Sequence, residues 1–131
     1  MLSSDTPEIT IPIERHEDYA ILRPSGYLNA LAGDQIDKVC AELLENGSHY
    51  IILNFKDVSM VNTIGISILV GIIEKVLEHN GFLYFTALAP TDRRIFEVLN
   101  LTTVALIFDT DEEAQEHLGR DRQAVRRTEQ A

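Results

Sequence analysis

The sequence has a single cysteine, Cys40, in 131 residues, so no disulfide can close within it. That favours a reducing compartment, and a cytoplasmic location is expected. No apolar run reaches the roughly 20 residues that a membrane-spanning helix needs. The most apolar segment, residues 64–77, is broken by Gly65, Ser67, Gly71, Glu74 and Lys75 and reads as a buried helix. The opening MLSSDTPEIT lacks a basic start followed by an apolar stretch, so no secretory leader is expected. Basic residues are also scarce: 11 Lys and Arg against 21 Asp and Glu give a formal charge of −10. This argues against nucleic acid and anionic membranes as partners, because both need a basic surface. The exception is the end of the chain, GRDRQAVRRTEQA, with four Arg against one Asp and one Glu. Residues 119–131 are therefore expected to form a flexible, solvated basic tail.

The usual marks of chemistry are missing too. There is no GxxxxGKS or GxGxxG loop to cradle phosphates. His16, His49, His79 and His117 are scattered, and none has a metal-ligating neighbour at helical spacing. Cys40 falls on an apolar helix face, where a small core residue is expected rather than a nucleophile. Asp34, Asp37, Glu42 and Glu45 alternate with core positions and read as a solvated face. The central strand ends in Asn54-Phe55, so the aspartate of a response-regulator phosphoacceptor is absent. No catalytic residue, cofactor or metal ligand is expected, and the chain is read as a non-enzyme.

What is present is the material of one globular domain, with 45% hydrophobic and 24% charged residues. Residues 1–8 are expected to be disordered. Two strand-like runs follow at 9–14 and 19–24, joined by the polar turn RHED and expected to pair antiparallel, with Pro12 and Pro24 marking edges or ends. Gly26 opens a loop, and a helix is expected at about 34–45, burying Ile36, Val39, Cys40, Leu43 and Leu44. The nearly continuous apolar run at 50–55 predicts a central strand covered on both faces. A loop, KDVSMVNT, leads to a second helix at about 64–79. A strand at 82–87, a short helix after Pro90, a strand at 104–108 and a last helix from Asp109-Thr110 complete the order. The fold class is α/β, with a mixed central sheet of about five strands and about four helices.

One place stands apart. Asn62 and Thr63 open the second helix, and either residue type makes a good N-cap. At 100° per residue the buried stripe contains Gly65, Ile66, Leu69, Ile72, Ile73 and Val76. Ile64 and Ile68 then fall on the outer side with Ser67, as a small apolar patch of the kind that docks partners. A hydroxyl at Thr63 beside that patch is either a simple cap or a switch. Phosphorylation would add about −1.5 to −2 charges there, tolerated by the helix start but hostile to an apolar contact.

At this point the sequence resembles the STAS domains, and among them the bacterial anti-sigma factor antagonists. The resemblance covers about residues 9–118. It rests on Gly26-Tyr27-Leu28-Asn29, Ile51-Ile52-Leu53-Asn54-Phe55 with Val58, Asn62-Thr63-Ile64-Gly65, Pro90-Thr91-Asp92-Arg93-Arg94-Ile95-Phe96 and Leu99-Asn100-Leu101. The family's helix usually opens with Asp-Ser-Ser-Gly or Asp-Thr-Ser-Gly, whose first hydroxyl receives the phosphate. By position Thr63 matches that hydroxyl and Gly65 the glycine. Asn62 replaces the Asp, Ile64 the second Ser, and Asn29 an Asp common in the neighbouring loop.

The resemblance implies a partner-switching protein. Its partner would be a serine/threonine kinase acting as anti-sigma factor, with a protein phosphatase to reset it, and a dimer is compatible with the sequence. Thr63 would be the phosphoacceptor. Leu28, Asn29, Asn62, Ile64, Gly65, Ser67 and Ile68 would meet the partner. The alternative is a non-phosphorylated STAS docking subunit of a multiprotein signalling or lipid-transport complex.

Overall fold

The computed structural model describes residues 11–130. The expected disordered stretch 1–8 and the first two residues of the first expected strand lie outside them. In chain order the elements are β1 (Ile13–Arg15), β2 (Tyr19–Leu22), β3 (Ser25–Leu28), α1 (Ala30–Glu45), β4 (Tyr50–Asn54), β5 (Asp57–Val61), α2 (Thr63–Glu78), β6 (Phe82–Thr86), α3 (Pro90–Val98), β7 (Leu106–Phe108) and α4 (Asp111–Gln130). A 3-10 turn covers Leu101–Thr103.

The main sheet has five strands in the order β1-β2-β4-β6-β7. β1 pairs antiparallel with β2, Ile13 opposite Leu22, and the other neighbours are parallel. This is the expected mixed sheet. The apolar strands are covered on both faces, because successive side chains point to opposite sides. Leu22, Ile51, Leu53, Leu83 and Phe85 join the larger core with α1, α2 and Phe96 of α3. Ile21, Tyr50, Ile52 and Tyr84 join a second core under Ala114 and Leu118 of α4. The expected stripe of α2 is buried in full. In α1, Ile36, Cys40 and Leu43 are buried, while Val39 and Leu44 pack against the core from its margin.

Three features differ from expectation. The segments read as loops around Gly26 and after Phe55 contain β3 and β5, which pair parallel in a separate two-stranded sheet. α1 starts at Ala30 rather than near residue 34, because Asn29 caps it. The basic end, expected as a tail, continues a helix in the described residues: α4 runs on to Gln130. Its anchor is chemical. Arg122 grips the Asp18 carboxylate with two nitrogens and lies 5.3 Å from the Tyr19 ring centroid. The Tyr50 hydroxyl donates to Asp121 at 2.6 Å. At the other end of α4, Asp111 accepts hydrogen bonds from Asn54 (3.0 Å) and Thr86 (2.6 Å), fixing the helix to the ends of β4 and β6.

Candidate functional site: two capped helix starts and an apolar groove

β3 and β5 lie side by side with Leu28 opposite Val61. The residue after each strand, Asn29 and Asn62, caps the helix that follows. Asn29 Oδ1 accepts from the Ala32 N–H at 3.0 Å, and Asn62 Oδ1 accepts from the Gly65 N–H at 2.7 Å. The Asn62 N–H donates to the Leu28 carbonyl at 3.2 Å, tying one cap to the other strand. Two helix N-termini therefore open at one edge of the molecule, each stabilised by a neutral amide.

Asn62 is the cap, which leaves Thr63 as the first residue of α2. Thr63 is exposed, and its hydroxyl is not needed for capping. Leu28 and Gly65 behave differently from expectation. Both are buried, and a Cβ on Gly65 would stand only 2.4 Å from the Leu28 carbonyl oxygen. They set the close approach of α2 to β3 and cannot meet a partner directly. Ile68 is less exposed than expected. It is half-buried against the larger core, with its Cδ1 2.9 Å from where a Gly33 Cβ would be. Asn29 and Asn62 are half-buried, and Ser67 is exposed. Ile64 is 56% exposed, as the helical period requires.

The apolar patch thus does not run along α2 from Ile64 to Ile68. It spreads across the strand ends instead. Tyr27 of β3 and Met60 of β5 occupy paired positions, and both are exposed, as is Leu31 in the first turn of α1. On the other side of Thr63 lies a groove of about 320 Å³. Val61, Asn62, Thr63 and Ile66 form one wall, and Arg94, Ile95, Val98 and Leu99 of the α3 segment form the other. Tyr27 and Leu31 lie in the loop, residues 26–32, that the sequence offers as a docking segment; Met60, Arg94, Val98 and Leu99 were missed. The signal was available for Met60, which precedes the half-buried Val61 as Tyr27 precedes the buried Leu28, as alternation in a strand demands.

The electrostatics of the groove are simple. Arg93 pairs with Asp109 at 3.2 Å, while Arg94, its neighbour, has no ion-pair partner among the described residues. Burial raises the Asp92 carboxyl above its ordinary value. Elsewhere, burial pushes the Cys40 thiol up to about 12, which fits a core residue and not a nucleophile. Among the described residues no group of three or more His, Cys, Asp or Glu is placed to hold a metal ion. No described helix is long and apolar enough to cross a membrane.

Comparison with known proteins agrees with this architecture. Residues 10–114 match the family model of the STAS domain. The chain belongs to the STAS domain family, and its relatives there carry the name anti-sigma factor antagonist. A protein of Thermotoga neapolitana, named as a candidate anti-sigma factor antagonist, is 31% identical over 110 residues, covering 82% of this chain and 96% of its own. The crystal structure of a candidate antagonist from Thermotoga maritima superposes with a TM-score of 0.74 at 25% identity, covering 82% of this chain and 92% of that one. The phosphorylated form of SpoIIAA, a Bacillus cell fate determinant, shares the fold with a TM-score of 0.68 at 22% identity, covering 83% and 99%.

Proposed function

We propose that this chain is a partner-switching anti-sigma factor antagonist. Unmodified, it docks a serine/threonine kinase that acts as anti-sigma factor. Phosphorylated on Thr63, it lets go, and a protein phosphatase restores it. The observation that carries this reading is the Thr63 hydroxyl, exposed at the first residue of α2 between the Tyr27–Met60 face and the α3 groove. The names of the relatives support it. So does the phosphorylated SpoIIAA structure, since that fold accommodates a phosphate.

The contact surface in this reading is Asn29, Asn62, Ile64 and Ser67, enlarged by Tyr27, Leu31 and Met60, with Leu28 and Gly65 shaping it from beneath. A dianion on Thr63 would meet helix-start N–H groups that welcome it. Asn62, an amide in place of the family's acid, adds no repulsion. The partner's apolar contact would instead face a hydrated phosphate. A penalty of about 1.4 kcal/mol already weakens binding tenfold.

One feature favours a second reading, a standing docking subunit that is never phosphorylated. Ile64 puts an exposed apolar side chain where the family has a second Ser, which suits a permanent contact. Intact and peptide mass spectrometry of the protein from its own cells separates the two. One phosphate mapped to Thr63 is expected. A chain unmodified in both growth and stress would contradict the switch and favour the subunit.

A further inference from the structure

The regulated site has a cation that no internal acid uses. Among the cations of the described residues, Arg23, Lys75, Arg93 and Arg122 are each held by a carboxylate; Arg15, Lys38, Lys56, Arg94 and Arg120 are in no such pair, and of these Arg94 is the one that lines the groove beside Thr63. Arg94 is exposed and lines the same groove as Thr63, on the opposite wall. The rest of the lining is mostly apolar, with Val61, Ile66, Ile95, Val98 and Leu99. In a chain of formal charge −10, this sets a free guanidinium and a modifiable hydroxyl on one apolar cleft.

We propose that Arg94 is the internal clamp for the Thr63 phosphate. This deepens the switch reading above and rests on Thr63 being the residue that is modified. Arginine presents a planar fork of donors that suits phosphate oxygens, and charge-assisted pairs of this kind are short and strong. In the unmodified protein the guanidinium and the groove beside it are open to a partner. In the phosphorylated protein the fork turns to the phosphate, and the ion pair lies over the apolar lining of the groove. One event then removes both the hydroxyl surface and the groove from the docking face. The phosphate acts through α3 as well as through its own charge.

The test places phosphothreonine at position 63 of the full chain during translation and follows its phosphorus resonance by NMR across pH. An opposite charge within a few ångströms depresses an acid's pKa by about 1–3 units. The second phosphate ionisation, near 6 in an unconstrained phosphothreonine, is expected to be depressed in the wild-type chain. Arg94→Gln should move it back up by about half a unit or more, and Arg94→Lys should retain part of the depression. Arg93→Gln removes the same charge one residue away, from a guanidinium occupied by Asp109, and should leave the titration where it was. Thermal unfolding of each variant verifies the fold, which an exposed arginine should not decide. Coincident titrations of wild type and Arg94→Gln would overturn the clamp. Because the phosphate is installed directly, this result does not depend on whether the cell modifies Thr63. Failure of the switch itself would appear separately, as a chain unphosphorylated in its own cells.

Discussion

A Cβ at Gly65 would stand 2.4 Å from the Leu28 carbonyl oxygen, a backbone atom that cannot step aside, while one at Gly71 in the same helix meets nothing within 4 Å. Gly65→Ala should therefore force α2 away from β3, at a cost of about 1–3 kcal/mol or more. Gly71→Ala should gain about 1 kcal/mol, the ordinary helix preference of alanine over glycine. Urea unfolding of the two variants reads both, and equal stability would refute the packing described for the start of α2. The sequence made Gly65 visible as a buried position through its helical period. It did not show what glycine was for, since the Leu28 carbonyl comes from another strand more than thirty residues away in the chain. For the same reason Leu28 read as a contact residue when it is core, and Ile68 read as exposed when it rests on Gly33.

The five strands of the main sheet and the four helices were legible because each carries its own period or its own apolar run. Elements that depend on a distant partner were not. β3 is Ser-Gly-Tyr-Leu and β5 Asp-Val-Ser-Met-Val. Each is short and rich in turn-forming or polar types, so neither has the composition of a strand alone. Pairing with the other makes them strands, and that pairing sets the two Asn caps side by side. The contacts of the last helix were hidden for a related reason. Four arginines near the end of a chain look solvated until Asp18, Tyr19 and Tyr50 are found under Arg122. Deleting residues 119–131 should lower the thermal midpoint by roughly 4 °C or more, because it removes those contacts and the Tyr50–Asp121 hydrogen bond. Partial exposure of the Arg122–Asp18 pair keeps its share modest. An unchanged midpoint after truncation would mean that this part of α4 contributes nothing to the fold.

At the scale of the whole molecule, the sheet and its flanking helices form the scaffold, and the proposed docking surface is the edge where β3 and β5 deliver α1 and α2. Its parts divide the labour. The Asn caps fix the helix starts, Gly65 lets α2 sit close, Tyr27 and Met60 supply apolar area, and Thr63 stands free among them. A change at Thr63 should therefore alter binding and leave the fold intact. The resemblance of this edge to the antagonist family was legible from the ordered motifs alone, whereas the α3 groove and Arg94 needed the fold, since α3 meets α2 only in space. The decisive measurement is a calorimetric titration of an anti-sigma kinase from the same organism with the full chain, unmodified and phosphorylated on Thr63. At least a tenfold weaker affinity for the phosphorylated chain is expected, with thermal midpoints of the two forms within a few degrees. Equal affinities for the two forms would contradict a switch at Thr63.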